Sequence, residues 1–335
     1  MTTFEENTVG QKRALSIGIN YPGTSHSLRG CVNDSIMIEQ LLREHYGFED
    51  IQLLLDNEAT TANIRVALNA LVKDAKPGDT LFFHYSGHGS QMLNNAGSDY
   101  EPDGLDEIIC PVDLDWDTKV IRDDELKAIF DRVPNGVNLT IFLDCCNSGS
   151  GLDQVNEYQS LAPGERSVVV VDASSRYLPP PASVLKIAAQ QGLHTSPRLV
   201  SRKVDHSALM ISGCQSHQTS ADAKIGGVYR GAATYYLNNT LNALAFNATY
   251  VDVVDKLNKD IAAAGFTQRP QLDGPVKLHN KAFLSQYVVD EMGSASVESS
   301  TQPQKPDDKK DIVKKYILPA LVVVAIVYVV TYFLG

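Results

Sequence analysis

Excess positive charge is what this chain most clearly lacks: 29 Lys and Arg stand against 40 Asp and Glu, a formal net charge of −11. That balance argues against nucleic acid as a main partner and suits a cationic substrate or a bound metal cation. A disulfide framework is missing too, since the five cysteines are odd in number and show no framework spacing. No apolar leader opens MTTFEENTVGQKR. Together these features imply free thiols in a reducing compartment, so the sequons at Asn138, Asn238 and Asn247 are expected to stay bare. No internal repeat is visible. With 335 residues and 43% hydrophobic content, the chain has room for one large domain or two small ones.

Charge is absent altogether from one stretch. Tyr316–Leu334, YILPALVVVAIVYVVTYFL, carries none over 19 residues, long enough to span a bilayer core as a helix. Pro319 near its start is tolerable there. Lys309, Lys310, Lys314 and Lys315 precede it, so the positive-inside rule keeps the N-terminal part in the cytosol. The expectation is a C-terminal tail anchor. An apolar tail with no basic residue after it favours the endoplasmic reticulum over the mitochondrial outer membrane.

The remainder alternates strand and helix signals. Arg13–Ile19 reads as a strand, Leu28–Tyr46 as a helix, Ile51–Leu55 as a strand, and Thr60 or Thr61 to about Ala75 as a capped helix. An apolar strand from Leu81 ends in Ser86, Gly87, His88 and Gly89. Ser90–Glu107 reads as a polar, acidic loop, followed by a brief strand at Ile108–Cys110 and a helix over Arg122–Arg132. Leu139–Leu143 is a buried strand that stops on Asp144, Cys145 and Cys146. From Asp153 to Asp205 the pattern lapses among five prolines and several basic residues, Arg176 among them, with Val168–Val171 its only clear apolar run. A strand at Ala208–Ser212 and helices near Val228–Ala243 and Tyr250–Ala264 follow, and Gly293–Asp311 reads as a tether. The alternation argues for an α/β fold, a mostly parallel sheet with helices on both faces.

Reactive groups at the ends of parallel strands define candidate chemistry. A thiol and an imidazole at two such ends are what a cysteine nucleophile needs: His88 as base and acid, and Cys145 or Cys146 as nucleophile. The two cysteines cannot both face one cleft, and their spacing alone does not choose between them. His84, inside its strand, reads as structural. The N–H groups of Gly89 and Cys146 are natural oxyanion donors. Asp34 and Asp144 could line a pocket for a basic side chain, although Asp34 also suits a helix N-terminus. The acids Asp99, Glu101, Asp103, Asp106 and Glu107 form a candidate hard-cation site. An EF-hand is rejected, because Cys110 stands where its twelfth-position Glu would be.

The run YSGHG, EPDGLDEIICPVD, DCCNSG, SGCQSHQTSADA and GFTQRPQL resembles the metacaspases, caspase-like cysteine peptidases of clan CD, over about Arg13 to Leu284. The resemblance implies a caspase-hemoglobinase fold, cleavage after Arg or Lys, a need for calcium and self-processing, with family roles in regulated proteolysis, cell death or protein quality control. It assigns the dyad to His88 and Cys146 and the pocket to Asp34 and Asp144, with Cys31 and Ser86 beside them and Asp222 as a further member. It gives Asp103, Asp123, Asp124 and Asp153 as calcium ligands. Three departures stand out: Asn147 replaces the usual His after the nucleophile, Ser216-His217 replaces an acidic pair, and no Pro- and Gln-rich prodomain is present.

The expected organisation is a disordered 1–12, a large-subunit region 13–153, a linker 154–205, a small-subunit region 206–290, a tether 291–315 and a transmembrane anchor 316–334. The expected partners are Arg- or Lys-bearing peptide substrates and a membrane, with no nucleic acid and a monomeric soluble domain. One rival reading is a catalytically silent scaffold at the membrane. Another is a caspase preference for Asp, with Arg29 or Arg230 reaching into the pocket.

Overall fold

The structure, a computed structural model, describes residues 10–93, 105–146, 158–161, 168–190, 208–215, 218–289 and 295–297. The chain divides into units 1–298 and 299–335, and the second lies outside the described residues. So does the expected span 316–334. Among the described residues no helix is long and apolar enough to cross a membrane.

Strand β1 (Lys12–Gly18) leads to helix α1 (Cys31–Tyr46), β2 (Asp50–Leu55), α2 (Thr61–Val72) and β3 (Thr80–Ser86). Thr60 caps α2 by accepting the Asn63 N–H at 3.3 Å. Next come β4 (Gly89–Leu93), β5 (Leu105–Ile109), β6 (Ile121–Arg122), α3 (Asp123–Phe130) and β7 (Asn138–Asp144). The middle of the chain holds β8 (Tyr158–Leu161), β9 (Val168–Val171), β10 (Ala173–Ser175) and α4 (Ala182–Gln190). The last third holds β11 (Ala208–Ser212), β12 (Ala221–Ile225), β13 (Val228–Gly231), α5 (Ala232–Ala243) and α6 (Tyr250–Ala263). It ends with β14 (Gln271–Asp273), α7 (Val276–His279), β15 (Tyr287–Val289) and β16 (Ala295–Val297).

The main sheet runs β14-β11-β7-β3-β1-β2, parallel throughout except for the antiparallel edge strand β14. Successive side chains on each strand point to opposite faces, and both faces are covered. Leu15, Ile17, Phe83 and Ile141 pack with Ile64 and Leu68 of α2 and Phe130 of α3. Ala14, Phe82, Phe142 and Ile211 pack with Leu42 of α1, Leu237 of α5 and Leu257 of α6. Burial on both faces is why the central strands read as unbroken apolar runs. This is the expected caspase-like sandwich.

Several expectations are corrected. Both ends of the polar loop Ser90–Glu107 are strands, β4 pairing antiparallel with β5. Asp106 is buried there and accepts from Arg122 Nη1 at 2.5 Å. The lapse after Asp153 contains a strand pair, the short β10 and a helix. Residues Val228–Gly231 are not the start of α5 but strand β13, paired with β12. Ala295–Val297, within the expected tether, pairs with β15. Helix α1 begins at Cys31, three residues later than its apolar spacing suggests. In most of these places a distant partner strand supplies the hydrogen bonds, and local propensity carries little of the signal.

Candidate active site

Strands β3 and β7 are neighbours, and their parallel register pairs Ser86 with Asp144. His88 and Cys146 each lie two residues beyond that pair, so one register delivers imidazole and thiol to the same sheet edge. Cys145 turns away into the core around Tyr85 and Ile141. Cys146 Sγ instead accepts the Ser220 N–H at 2.6 Å. The structure thereby separates the two thiols as the alternation along a strand requires.

His88 is held on several sides. Its N–H donates to Tyr21 Oη at 3.0 Å, and its carbonyl accepts from Tyr85 Oη at 2.6 Å. The His88 ring lies 4.8 Å from that of Tyr21. Nε2 contacts the His26 carbonyl at 2.7 Å, which can only accept, so Nε2 carries the proton and Nδ1 keeps a lone pair. Among the described residues Nδ1 makes no hydrogen bond of regular geometry, although the Arg176 backbone also acts on the ring. Burial pushes the ring's pKa down to about 4, against the opposing pull of the His26 carbonyl. At neutral pH the ring is uncharged and able to take a proton. His84, four residues earlier, is fully buried with Nδ1 2.8 Å from Ser16 Oγ, the structural role expected of it.

The pocket contains an arginine of the chain itself. Arg176 is fully buried, and its guanidinium meets three carboxylates. Nη2 donates to Asp34 Oδ2 at 2.6 Å and to Asp222 Oδ1 at 3.1 Å, while Nη1 lies 3.3 Å from Asp144 Oδ2. Nη1 also donates to Ser86 Oγ at 2.7 Å and to the Asp144 carbonyl at 2.9 Å. The carboxylates are themselves fixed by the start of α5: Asp144 Oδ2 accepts Thr234 N–H at 2.9 Å and Oγ1 at 2.6 Å, and Asp34 Oδ1 accepts Gly231 N–H at 2.9 Å. Ser220 Oγ donates to Asp144 Oδ1. Two glycines make room. A Cβ on Gly231 would lie 2.2 Å from Asp144 Oδ2, and one on Gly30 would lie 2.3 Å from Asp222 Oδ1. Burial raises the Asp34 pKa to about 6, with Arg176 pulling the other way. Cys31 is buried against the same cluster, and desolvation raises its thiol pKa although Arg176 opposes this.

The backbone around Arg176 lies in the cleft as an extended strap. Residues Ala173–Ser175 pair antiparallel with Ala221–Ala223. Arg176 N–H donates to the Ser220 carbonyl at 3.1 Å, and Gly89 N–H donates to the Arg176 carbonyl at 3.0 Å. Leu178 N–H then donates back to the Gly89 carbonyl at 3.0 Å. The residue expected to supply an oxyanion donor therefore holds the carbonyl of the residue in the acidic pocket. Asp34, Ser86, Asp144 and Asp222 all converge on one guanidinium, with Cys31 beside them. Sequence reasoning singled out neither Arg176 nor Ser220, Gly231, Thr234 and His26. Arg176 looked like one basic residue among several in a featureless segment, and the others act through backbone or hydroxyl groups that leave no compositional trace.

The Asp-preference rival finds no support in this geometry. Arg29 points its guanidinium at Asp172, and Arg230 lies over the Tyr235 ring at 5.3 Å. Of the expected calcium ligands, Asp123 and Asp124 open the first turn of α3, while Asp103 and Asp153 lie outside the described residues. Asn147, Ser216 and His217 lie outside them as well. Among the described residues no group of three or more His, Cys, Asp or Glu is arranged to hold a metal ion.

A family model described as metacaspase, peptidase C14 domain, matches residues 12–155. Metacaspase-1 of Scheffersomyces stipitis is 35% identical over 296 residues, covering 81% of this chain and 72% of that protein. Metacaspase-1 of Candida albicans is 34% identical over 294 residues, 79% of this chain and 64% of that protein. A crystallised protein of Geobacter sulfurreducens superposes with a TM-score of 0.58 at 25% identity, covering 82% of this chain and 99% of its own. Identity of that degree, sustained over most of the chain, decides its kinship: it belongs to the metacaspases, the caspase-like cysteine peptidases of family C14.

Proposed function

We propose that this chain hydrolyses peptide bonds on the carboxyl side of arginine or lysine, with Cys146 as nucleophile and His88 as base and then acid. The observation that carries this reading is Arg176, buried among Asp34, Asp144 and Asp222 with its carbonyl on the Gly89 N–H. His88 Nδ1 takes the thiol proton, and the Cys146 sulfur adds to the carbonyl carbon of the basic residue. Gly89 N–H, with Cys146 N–H as the second expected donor, holds the oxyanion that develops. As the tetrahedral species collapses, the C–N bond breaks and His88 returns the proton to the leaving amine. Water, deprotonated by the same ring, then releases the acyl group and restores the thiol.

The Arg176–Tyr177 bond is the first candidate for self-processing, since its acyl side occupies the pocket and the oxyanion donor. Until the strap is cut or displaced, an outside peptide has no access to the acids. We infer that calcium favours this change. Asp123 and Asp124 supply the carboxylate oxygens that such a hard cation takes, with Asp103 and Asp153 as further ligands. Tyr316–Leu334 would hold the enzyme at a membrane with its catalytic part in the cytosol.

The test is cleavage of Arg-, Lys- and Asp-terminated reporter peptides by the full chain in mild detergent, with calcium or chelator, beside Cys146→Ala. Mass spectrometry of the same samples reads the cut in the strap. Calcium-stimulated cleavage after Arg or Lys and a new C-terminus at Arg176, both lost in Cys146→Ala, is the expected result. A folded wild type that cuts neither peptide nor strap would overturn the catalytic reading and favour a scaffold.

A further inference from the structure

The strap continues beyond the acidic pocket, and its next charged residue meets a site of opposite sign. Asp172 lies four residues before Arg176, and its carbonyl accepts Lys224 N–H at 3.0 Å, in line with the pairing of β10 and β12. In an extended chain, alternate side chains share a face, so positions 172, 174 and 176 point the same way. The Asp172 carboxylate is gripped by Arg29, Nη2 to Oδ1 at 2.8 Å and Nη1 to Oδ2 at 3.3 Å. Tyr229 Oη donates to the same Oδ2 and accepts from Arg29 Nη1 at 2.5 Å. The guanidinium also stands 3.7 Å from the Tyr229 ring centroid, and Lys224 Nζ lies 5.9 Å from it. These contacts hold the Asp172 carboxyl below the usual range, Arg29 first and Tyr229 next.

The site is tied to the acidic pocket through backbone. Arg29 N–H donates to Asp222 Oδ2 at 2.8 Å, while Asp222 Oδ1 holds Arg176. One carboxylate therefore helps form the pocket and positions the residue that reads the charge further along. Arg29 and Tyr229 belong to the folded body of the enzyme, on the α1 approach and β13. They would meet any extended peptide laid along β12 in the same register.

We propose that Arg29, Tyr229 and Lys224 form a second specificity site, which selects an acidic side chain four residues before the scissile arginine or lysine. The inference rests on the reading of the acidic pocket as the arginine subsite. A planar, two-pronged guanidinium–carboxylate contact with a phenol on one oxygen discriminates acid from amide and from base. Both partners are partly open to solvent, 43% for the Arg29 side chain and 57% for that of Asp172. The effect is therefore one of preference, roughly two- to fivefold.

The test uses the full chain after it has cut its own strap, and peptides that place Asp, Asn or Lys four residues before a reporter-linked Arg. The expected order of kcat/KM is Asp, then Asn, then Lys, narrowing as salt is raised. Adding Arg29→Glu should reverse the order of Asp and Lys while leaving the preference for Arg over Asp at the scissile position unchanged. As a second readout, Asp172→Lys in the otherwise native chain should slow cutting of the strap, and Arg29→Glu on top of it should restore the rate. Equal cleavage of the three peptides, or an order indifferent to Arg29→Glu, overturns the second site while leaving the pocket intact. Failure to cut after arginine in any peptide or in the strap overturns the pocket itself, and the second site falls with it.

Discussion

Arg176 and Arg29 each bring a guanidinium to a carboxylate, at 2.6 and 2.8 Å, yet the two contacts differ in kind. Arg176 and its three acids are sealed from water, whereas Arg29 and Asp172 stand at the rim with water around them. In a dry site, ions held at these distances interact strongly, but each has surrendered its hydration, so a partner removed leaves an uncompensated charge. At the rim, water replaces a lost partner and the loss is small. On the reading proposed above, the same pairing of residue types sets whether a substrate binds at all in one place and merely ranks substrates in another.

The largest effect is expected from the sealed site. Asp144→Asn keeps the shape and the contacts to Thr234 but removes a carboxylate from the guanidinium. Loss of a buried partner is worth roughly 3–5 kcal/mol, so kcat/KM for arginine peptides should fall by roughly two to three orders of magnitude. Steady-state kinetics beside a thermal melt would check this, and a drop of only a few-fold in a folded protein would erase the contrast with the rim. Gly231→Ala is next. The added methyl would crowd Asp144 Oδ2 and Arg176 Nη1, predicted at 2.2 and 2.5 Å. Overpacking of this kind is worth roughly 1–3 kcal/mol. KM for arginine peptides should rise by roughly five- to a hundredfold, with less change for lysine, whose smaller head can retreat.

A pH series sharpens the difference further. With Arg176 in place, burial sets the Asp34 pKa at about 6, and the guanidinium holds it down against that burial. An empty pocket lacks this restraint and keeps the carboxylates together, so Asp34 protonates at higher pH. Binding a guanidinium therefore expels a proton, and affinity falls as pH is lowered towards 6 and levels off below it. The linkage for folding runs the other way, because a raised carboxyl pKa stabilises the folded chain at low pH and that contribution is lost as pH rises through about 6. Titrating agmatine into the Arg176→Ala chain between pH 8 and 5 by calorimetry would show the first trend (about 25 °C, low salt). Asp172 has its pKa lowered, so the rim contact should not change over the same range. The smallest effect is Arg29→Ala, about two- to fivefold on peptides bearing the distal acid and none on peptides without it.

Much of this was legible before any coordinates. The strands at Leu81 and Leu139 are apolar runs that stop on polar tips, and adjacency of β3 and β7 is enough to bring His88 to Cys146. Asp34 and Asp144 were legible as pocket acids for the same reason, since each sits where an element begins or ends. The strap was not. Ala173, Ser174 and Ser175 have weak strand propensity and no periodicity, and β12 and Gly89 hold them extended from outside. Strand β4 escaped notice in the same way, because Ser90 and Gln91 are buried polar residues whose pairing comes from β5. Arg176 carries no local mark of its place. Its burial is intelligible only once three acids distant in sequence have been brought together.

The Gly89 peptide that grips both Arg176 and Leu178 has a kinetic consequence. A strap joined covalently to the enzyme proposed to cut it is present at a fixed local concentration, whatever the amount of protein. Its cleavage in that reading would be a first-order event, indifferent to dilution, whereas cutting of one molecule by another slows as molecules become scarce. A metacaspase built in this way would keep time by a molecular half-life rather than by abundance, and few copies would mature as promptly as many.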